Sequence, residues 1–294
     1  MKKKLIALLL AIAILIPAAS AFARERYTKR EASFSKELSL NIDDRFVDIN
    51  VKSGRNDEIQ IQMMENEHYK YTLEEKDGEL NIVCNDESTW LDKFFQNVSD
   101  NDRELNITLP KDYQKSISIK CMFGELDVED AAANDLSANL QYTDGDFKNV
   151  KLGGGIAVIS QYGDIEMDVL SAQAVAINAE YSELELKNCE IAQGAAVITK
   201  YGDTEINKLS FGEKFILSGS YSRLSFRNIT FGARMEITSD FGDINGRLPG
   251  KNGDYTISCE TSFGDSNLPS KSDGGAKELI VSASYSDVSV SFGK

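Results

Sequence analysis

Tyr162-Gly163-Asp164-Ile165-Glu166-Met167 is the stretch that decides the fold, because the chain repeats this phrase nine times between Phe123 and Tyr285. The phrase is an aromatic, a small residue, usually an acid, and then an alternating apolar strand. Its aromatics are Phe123, Tyr142, Tyr162, Tyr181, Tyr201, Tyr221, Phe241, Phe263 and Tyr285, spaced by 19, 20, 19, 20, 20, 20, 22 and 22 residues. A fixed period near 20 marks a solenoid, in which each coil stacks on the last.

Numbering each coil from its aromatic as zero brings out the pattern. Position −6 runs from Ile117 to Leu279 and position −4 from Ile119 to Val281, and all eighteen residues are apolar. Period-two alternation puts them on one face of a strand. Position zero shares that parity, so the aromatic column is expected in the core, its rings stacked along the axis. A carbohydrate-binding aromatic strip is the alternative. Position +1 is Gly, Ser or Thr, which predicts a tight bend tolerating only a small side chain rather than an obligatory left-handed backbone. Beyond it the parity flips, and positions +3 and +5 are mostly apolar, from Leu126 and Val128 to Val288 and Val290. Each coil therefore reads as strand, bend, strand, corner, with Gly153-Gly154-Gly155 at one corner. The expected fold is all-β: a single-stranded β-helix of about nine coils, right-handed as parallel crossovers are.

Residues 113–294 hold these repeats. Residues 34–112 alternate without the phrase and read as a β-rich N-terminal cap, which a solenoid needs to cover its open end. Strand candidates there are Leu38–Ile42, Phe46–Val51, Glu58–Met63, Tyr69–Leu73, Glu79–Cys84 and Glu104–Leu109. A loop over 85–103 interrupts the cap and carries Trp90, Phe94 and Phe95. Those aromatics are either a plug over the cap's own core or a partner-contact site.

Residues 1–23 read as a secretory signal: Lys2, Lys3 and Lys4, an apolar run Leu5–Ile16 too short to span a bilayer, and Ala21-Phe22-Ala23 for cleavage. No stable membrane insertion is expected after cleavage, and residues 24–33 read as a disordered leader. Removing the signal leaves 29 Lys and Arg against 47 Asp and Glu, a charge of −18. That argues against nucleic acid and anionic lipid as partners. It permits metal ions, cationic polymers and cationic protein surfaces. Cys189 and Cys259 fall at apolar positions several coils apart and read as buried free thiols. Cys84 and Cys121 are the one pair placed to bridge.

Catalytic machinery is hard to find. His68 is the single histidine, and the chain has no nucleophile elbow, HExxH or phosphate loop. Paired carboxylates recur in five successive coils, and catalysis needs one pair set apart from the rest. The chain is therefore expected not to be an enzyme, and no cofactor is implied. Position +2 is Glu125, Asp144, Asp164, Glu183 and Asp203 in the first five coils, and position +4 is Asp127, Asp146, Glu166, Glu185 and Glu205. Parity points both columns outward, with neighbours about 4.8 Å apart. Such a ladder raises the pKa of some members and suits hard cations, so Asp144, Asp146, Asp164, Glu166, Glu183, Glu185, Asp203 and Glu205 are candidate calcium ligands. The plainer reading is a solvated face built on turns that favour Asp.

Tyr162-Gly163-Asp164-Ile165-Glu166-Met167 and Phe241-Gly242-Asp243-Ile244, together with Asn106-Ile107-Thr108-Leu109-Pro110 ahead of the repeats, resemble the bacterial "putative adhesin" family of unknown function. The resemblance covers roughly residues 34–294 and implies an exported β-solenoid with no established catalytic or binding residues. This chain departs from it in the acidic ladder and the Trp90 loop. The expected role is a non-enzymatic scaffold in the periplasm, on the cell surface or secreted. Its repetitive acidic surface would meet a component of the envelope or cell surface, protein or polysaccharide. The alternative is a cation-dependent polysaccharide-binding or polysaccharide-active β-helix.

Overall fold

The computed structural model describes residues 27–87 and 103–293, all of it β-structure and turns apart from a single 3-10 turn at Asn252–Asp254. The expected signal at residues 1–23 and Trp90, Phe94 and Phe95 lie outside the described residues. Successive coils pair in parallel and in register, position for position. Leu136, Ile156 and Val175 are neighbours in one column, and Ala138, Val158 and Ile177 in the next. These columns, with those at +3 and +5, form one continuous buried core.

The coils from Phe123 to Tyr221 have three strands rather than two. A second left-handed residue stands at position +7 (Asp130, Asn149, Val169, Asn188, Lys208 and Asn228, with φ between 51° and 58°). Past it, positions +8 and +10 turn inward again and bury Val150 with Leu152, Leu170 with Ala172, Cys189 with Ile191 and Leu209 with Phe211. Asn and Asp suit that corner because their short polar side chains tolerate left-handed backbone. Asn188 Nδ2 donates to Asp168 Oδ1 of the coil below at 2.7 Å.

The aromatic column is not core. Its rings within the stack are 40–51% exposed, and each aromatic itself adopts φ between 51° and 62°. One left-handed residue breaks the period-two parity, so the side chain that alternation assigns to the inside is turned outward. The rings do stack along the axis, with centroids 4.7–5.1 Å apart and planes within 17° of parallel. Phe46 of the cap begins the ladder at 4.9 Å from Phe123, making ten rings.

At both ends the coils stack out of sequence order. The strand Lys277–Ser284 lies between Arg234–Asp240 and Tyr255–Ser262, so the Tyr285 coil sits between those of Phe241 and Phe263. At the other end Ser39–Arg45 lies between Glu79–Asp86 and Ile117–Glu129, and Asp48–Ser53 between Glu104–Leu109 and Ile117–Glu129. The exchange explains position +1. In space its column reads Val47, Gly124, Thr143, Gly163, Ser182, Gly202, Ser222, Gly242, Ser286, Gly264, glycine in every second coil. A Cβ on Gly202 would lie 2.0 Å from the Ser182 carbonyl oxygen, which the backbone cannot yield. The hydroxyl of the next coil meets the glycine amide, as Ser182 Oγ does for Gly163 N at 3.4 Å.

The cap strands match the sequence reading closely, as Ser39–Arg45, Asp48–Ser53, Glu58–Glu65, Tyr69–Lys76, Glu79–Asp86 and Glu104–Leu109. Thr28–Ser35, within and beyond the expected leader, is a further strand antiparallel to Glu58–Glu65. All four cysteines are free. The strand Ser39–Arg45 runs between Cys84 and Cys121, which puts them two strand spacings, about 9.6 Å, apart and beyond the roughly 7 Å reach of a disulfide.

Two predictions follow from this geometry. An L-residue held left-handed costs about 1–2 kcal/mol, and glycine carries no such cost. Tyr181→Gly should therefore melt higher than Tyr181→Ala, by about 1 kcal/mol, the reverse of the usual order within a strand, while Tyr181→Phe keeps its stack and melts like the parent. Thermal melting of the three variants checks this. Burial pushes the thiols of Cys84 and Cys121 up to about 12 and that of Cys189 up to about 11. Unfolded thiols ionise near pH 8.5. Between that pH and about 11–12 the unfolded chain holds fewer protons than the native one, so these groups' contribution, complete below pH 8.5, is lost as pH rises. Urea titrations at pH 7 and pH 10 should show the midpoint falling, and iodoacetamide should label Cys189 only on unfolding.

Candidate functional site: the acidic face and its aromatic border

Positions +2 and +4 point outward from the second strand of each coil. In the first five repeats they line a shallow groove of about 610 Å³, bounded by Glu125 and Asp127 at one end and by Arg223 and Ser225 at the other. The eight candidate ligands at Asp144, Asp146, Asp164, Glu166, Glu183, Glu185, Asp203 and Glu205 all border this groove. Among the described residues no three His, Cys, Asp or Glu side chains converge as a group that could hold a metal ion.

The two columns do different work. At +2, each aspartate that has a coil above it accepts the backbone N–H of that coil's +2 residue. Asp144 Oδ1 takes Asp164 N at 2.8 Å, Asp164 Oδ1 takes Glu183 N at 2.8 Å and Asp203 Oδ1 takes Arg223 N at 3.1 Å. Asp48, Asp243 and Asp287 do the same for Glu125, Asp287 and Asp265. Glu125 and Glu183, one methylene longer, make no such bond among the described residues. These aspartates satisfy amides that the bend turns away from the sheet ladder, a polar group that costs stability if left unpaired.

At +4 the carboxylates meet cations instead. Lys148 pairs with Asp146, Lys187 bridges Glu185 at 2.7 Å and Glu166 at 3.3 Å, and Arg227 reaches Glu205 at 3.1 Å. Such exposed pairs contribute little stability. Partial burial, then the neighbouring carboxylates of Asp146 and Glu125, hold the Asp127 carboxyl above the usual range, the repulsion a ladder predicts.

The aromatic ladder borders this face. Its rings cover one another's faces, so along its length only ring edges and tyrosine hydroxyls meet solvent, whereas sugar stacking uses an open ring face. Phe263 is the exception: at the end of the ladder it is 79% exposed.

A buried cluster that sequence reasoning passed over anchors the other end. Asp44, at position −2 of the Phe46 coil, accepts from Arg103 Nη2 at 2.6 Å and from the Tyr71 hydroxyl at 2.5 Å. Arg103 Nη1 donates to the carbonyls of Arg45 and Phe46 at 2.6 and 3.3 Å, and its guanidinium lies 4.3 Å from the Tyr69 ring centroid. The cluster fixes the first left-handed corner, and the one signal for it in the sequence is an acid where other coils carry small or apolar residues. His68 lies at the bend before Tyr69–Lys76, its Nε2 3.5 Å from Glu67 Oε1.

Side-chain length at +2 yields a test. Asp164→Asn keeps an acceptor for Glu183 N and should melt close to the parent. Asp164→Glu keeps the charge but loses the bond and should cost about 1 kcal/mol. Equal melting of the two variants would remove the capping role.

The family model Toastrack DUF4097 matches residues 37–291. Among solved structures, a "putative adhesin" from Bacteroides fragilis NCTC 9343 is 10% identical, with a TM-score of 0.48 over 91% of this chain and 98% of that one. A "putative adhesin" from Parabacteroides merdae ATCC 43184 is 11% identical, with a TM-score of 0.48 over 90% and 96%. A "putative cell adhesion protein" from Clostridium sporogenes ATCC 15579 is 13% identical, with a TM-score of 0.25 over 91% and 100%. No curated protein matches the sequence. The matched span takes in nearly all of the cap and every coil of the stack, and the chain belongs to the Toastrack DUF4097 family.

Proposed function

We propose that this chain is exported and acts without catalysis, as a rigid scaffold whose acidic face meets a cationic partner of the cell envelope or cell surface, in the manner of an adhesin. The observation that carries the reading is the charge of the groove. Ten carboxylates, at positions +2 and +4 of five coils, line it with one cationic side chain, Arg223, while Lys148, Lys187 and Arg227 pair with the acids at +4 from beside it. A cleft with so large an excess of one sign raises the local concentration of oppositely charged groups and speeds their encounter. The column at +4 is the part available to a partner, because its exposed ion pairs with Lys148, Lys187 and Arg227 are exchanged at little cost, whereas the aspartates at +2 are committed to backbone amides.

Export predicts a mature chain beginning near Arg24, read by mass spectrometry of the secreted or periplasmic fraction. Recognition predicts that labelled protein binds isolated cell envelopes and that raising salt releases it. The triple variant Glu166→Gln, Glu185→Gln, Glu205→Gln should bind at least about tenfold more weakly, three charges in a focused cleft being worth more than 1.4 kcal/mol, while its melting temperature stays near the parent's. Unchanged envelope binding by that variant would overturn the acidic-face reading. Binding that requires millimolar calcium and is lost to a chelator, with calcium raising the melting temperature more than sodium at matched ionic strength, would favour the cation-dependent polysaccharide reading instead.

A further inference from the structure

The stack ends on an unfinished rung. Within the ladder, the glycine coils of Tyr162, Tyr201 and Phe241 each present three groups to the coil above: a ring face, a glycine amide that meets a hydroxyl, and an aspartate that takes a backbone N–H. The Phe241 coil shows all three filled. Its ring lies 4.7 Å from Tyr285, Gly242 N donates to Ser286 Oγ at 3.0 Å, and Asp243 Oδ1 accepts from Asp287 N at 3.0 Å. The outermost coil presents the same three groups at Phe263, Gly264 and Asp265. Phe263 is 79% exposed, and among the described residues nothing meets the Gly264 amide or the Asp265 carboxylate. Beside them the sheet edge is open. Lys271–Ser272 and the Ser270 carbonyl cover the outer edge of Tyr255–Ser262 at Ile257, Ser258 and Cys259, leaving Glu260–Ser262 bare. At the opposite end of the ladder Phe46 is 42% exposed, like the rings inside the stack.

We propose that this end of the solenoid is a docking site for an extended peptide segment of a partner protein, carrying an aromatic residue followed by serine or threonine, which adds as one more strand. The chemistry of the vacancy selects that occupant. An aromatic ring fills the open face of Phe263 and a hydroxyl accepts from Gly264 N–H. The next backbone N–H donates to Asp265, while the peptide backbone pairs with Glu260–Ser262 by strand addition. A second copy of this chain fits poorly. At its other end the strands paired on one side only, Thr28–Ser35 and Tyr69–Lys76, keep Phe34 and Tyr71 packed on the cap's own core, and its open end brings glycine where the hydroxyl is needed and sets Asp265 against Asp265. The proposal is independent of the acidic face.

The chain itself supplies a probe. The nine-residue peptide of residues 282–290, Ser-Ala-Ser-Tyr-Ser-Asp-Val-Ser-Val, already makes these contacts above Gly242. With its ends capped and a fluorescent label attached, it should bind the full mature chain saturably by anisotropy. Loss of the ring contact, by Tyr285→Ala in the peptide or Phe263→Ala in the chain, should weaken binding about three- to tenfold. Because Phe263 is mostly exposed, the Phe263→Ala chain should melt like the parent, which separates lost docking from lost folding. The proposal is overturned by absence of saturable binding, or by equal binding of the Tyr285→Ala peptide or the Phe263→Ala chain. Sedimentation showing a dimer that Phe263→Ala dissolves would also overturn it, since the occupant would then be a second copy.

Discussion

The in-register parallel pairing of successive coils is the constraint on which the rest of this structure depends. Because position pairs with position, any residue choice is repeated about every 4.8 Å along the axis. A choice that interacts well with its own kind is therefore multiplied, and one that does not must be relieved by alternation. Aromatic rings stack on rings and can repeat in every coil. A side chain at +1 crowds the carbonyl below it, and the chain answers with glycine in every second coil. Carboxylates repel one another, and at +2 that repulsion is offset by giving each aspartate a backbone amide to hold.

The same constraint sets what the sequence reveals. The period, the apolar columns at −6, −4, +3 and +5, and the cap strands follow from period-two alternation within nearly straight segments, and all are legible. The aromatic column is not, because parity holds only while the backbone stays extended. One left-handed residue reverses it, and nothing in Tyr181 or Tyr201 by itself announces φ near 55°. The strand at +8 and +10 is hidden for the same reason, behind the corner at Asn149 and Asn188. The sequence does hold a trace of the exchange of coils at the C-terminal end. Glycine alternates with serine or threonine from Gly124 to Gly242, then Gly264 and Ser286 arrive in the wrong order, at spacings of 22 rather than 19 or 20. The family resemblance reached the fold and stopped there, since it carried no site residues to place.

Exchanging coils at both ends has a physical consequence. The last layer of a stack has neighbours on one side only, and a chain terminus is the segment readiest to fray. Apart from Thr28–Ser35, which pairs on one side only with Glu58–Glu65, the strands nearest the ends of the fold, Ser39–Arg45, Asp48–Ser53 and Lys277–Ser284, are each held between two layers. The outermost layers are instead formed by segments tethered at both ends. The cost falls on the outer coil of Phe263, which keeps one ladder edge covered only in part by Lys271–Ser272.

Acidity in this protein is therefore of two kinds. The aspartates at +2 belong to the scaffold. They persist along the whole stack, at Asp48, Asp144, Asp164, Asp203, Asp243, Asp287 and Asp265, whether or not the neighbouring +4 residue is charged. The acids at +4 stop after Glu205 and give way to Ser225, Asn245, Asn267 and Ser289, although the left-handed aromatic corner continues at Tyr221, Phe241, Phe263 and Tyr285. A column that folding requires would not end there. Net charge alone thus overstates the surface open to recognition. The segment in which both columns are acidic, from Glu125 to Glu205, is where the charge exceeds what the backbone needs.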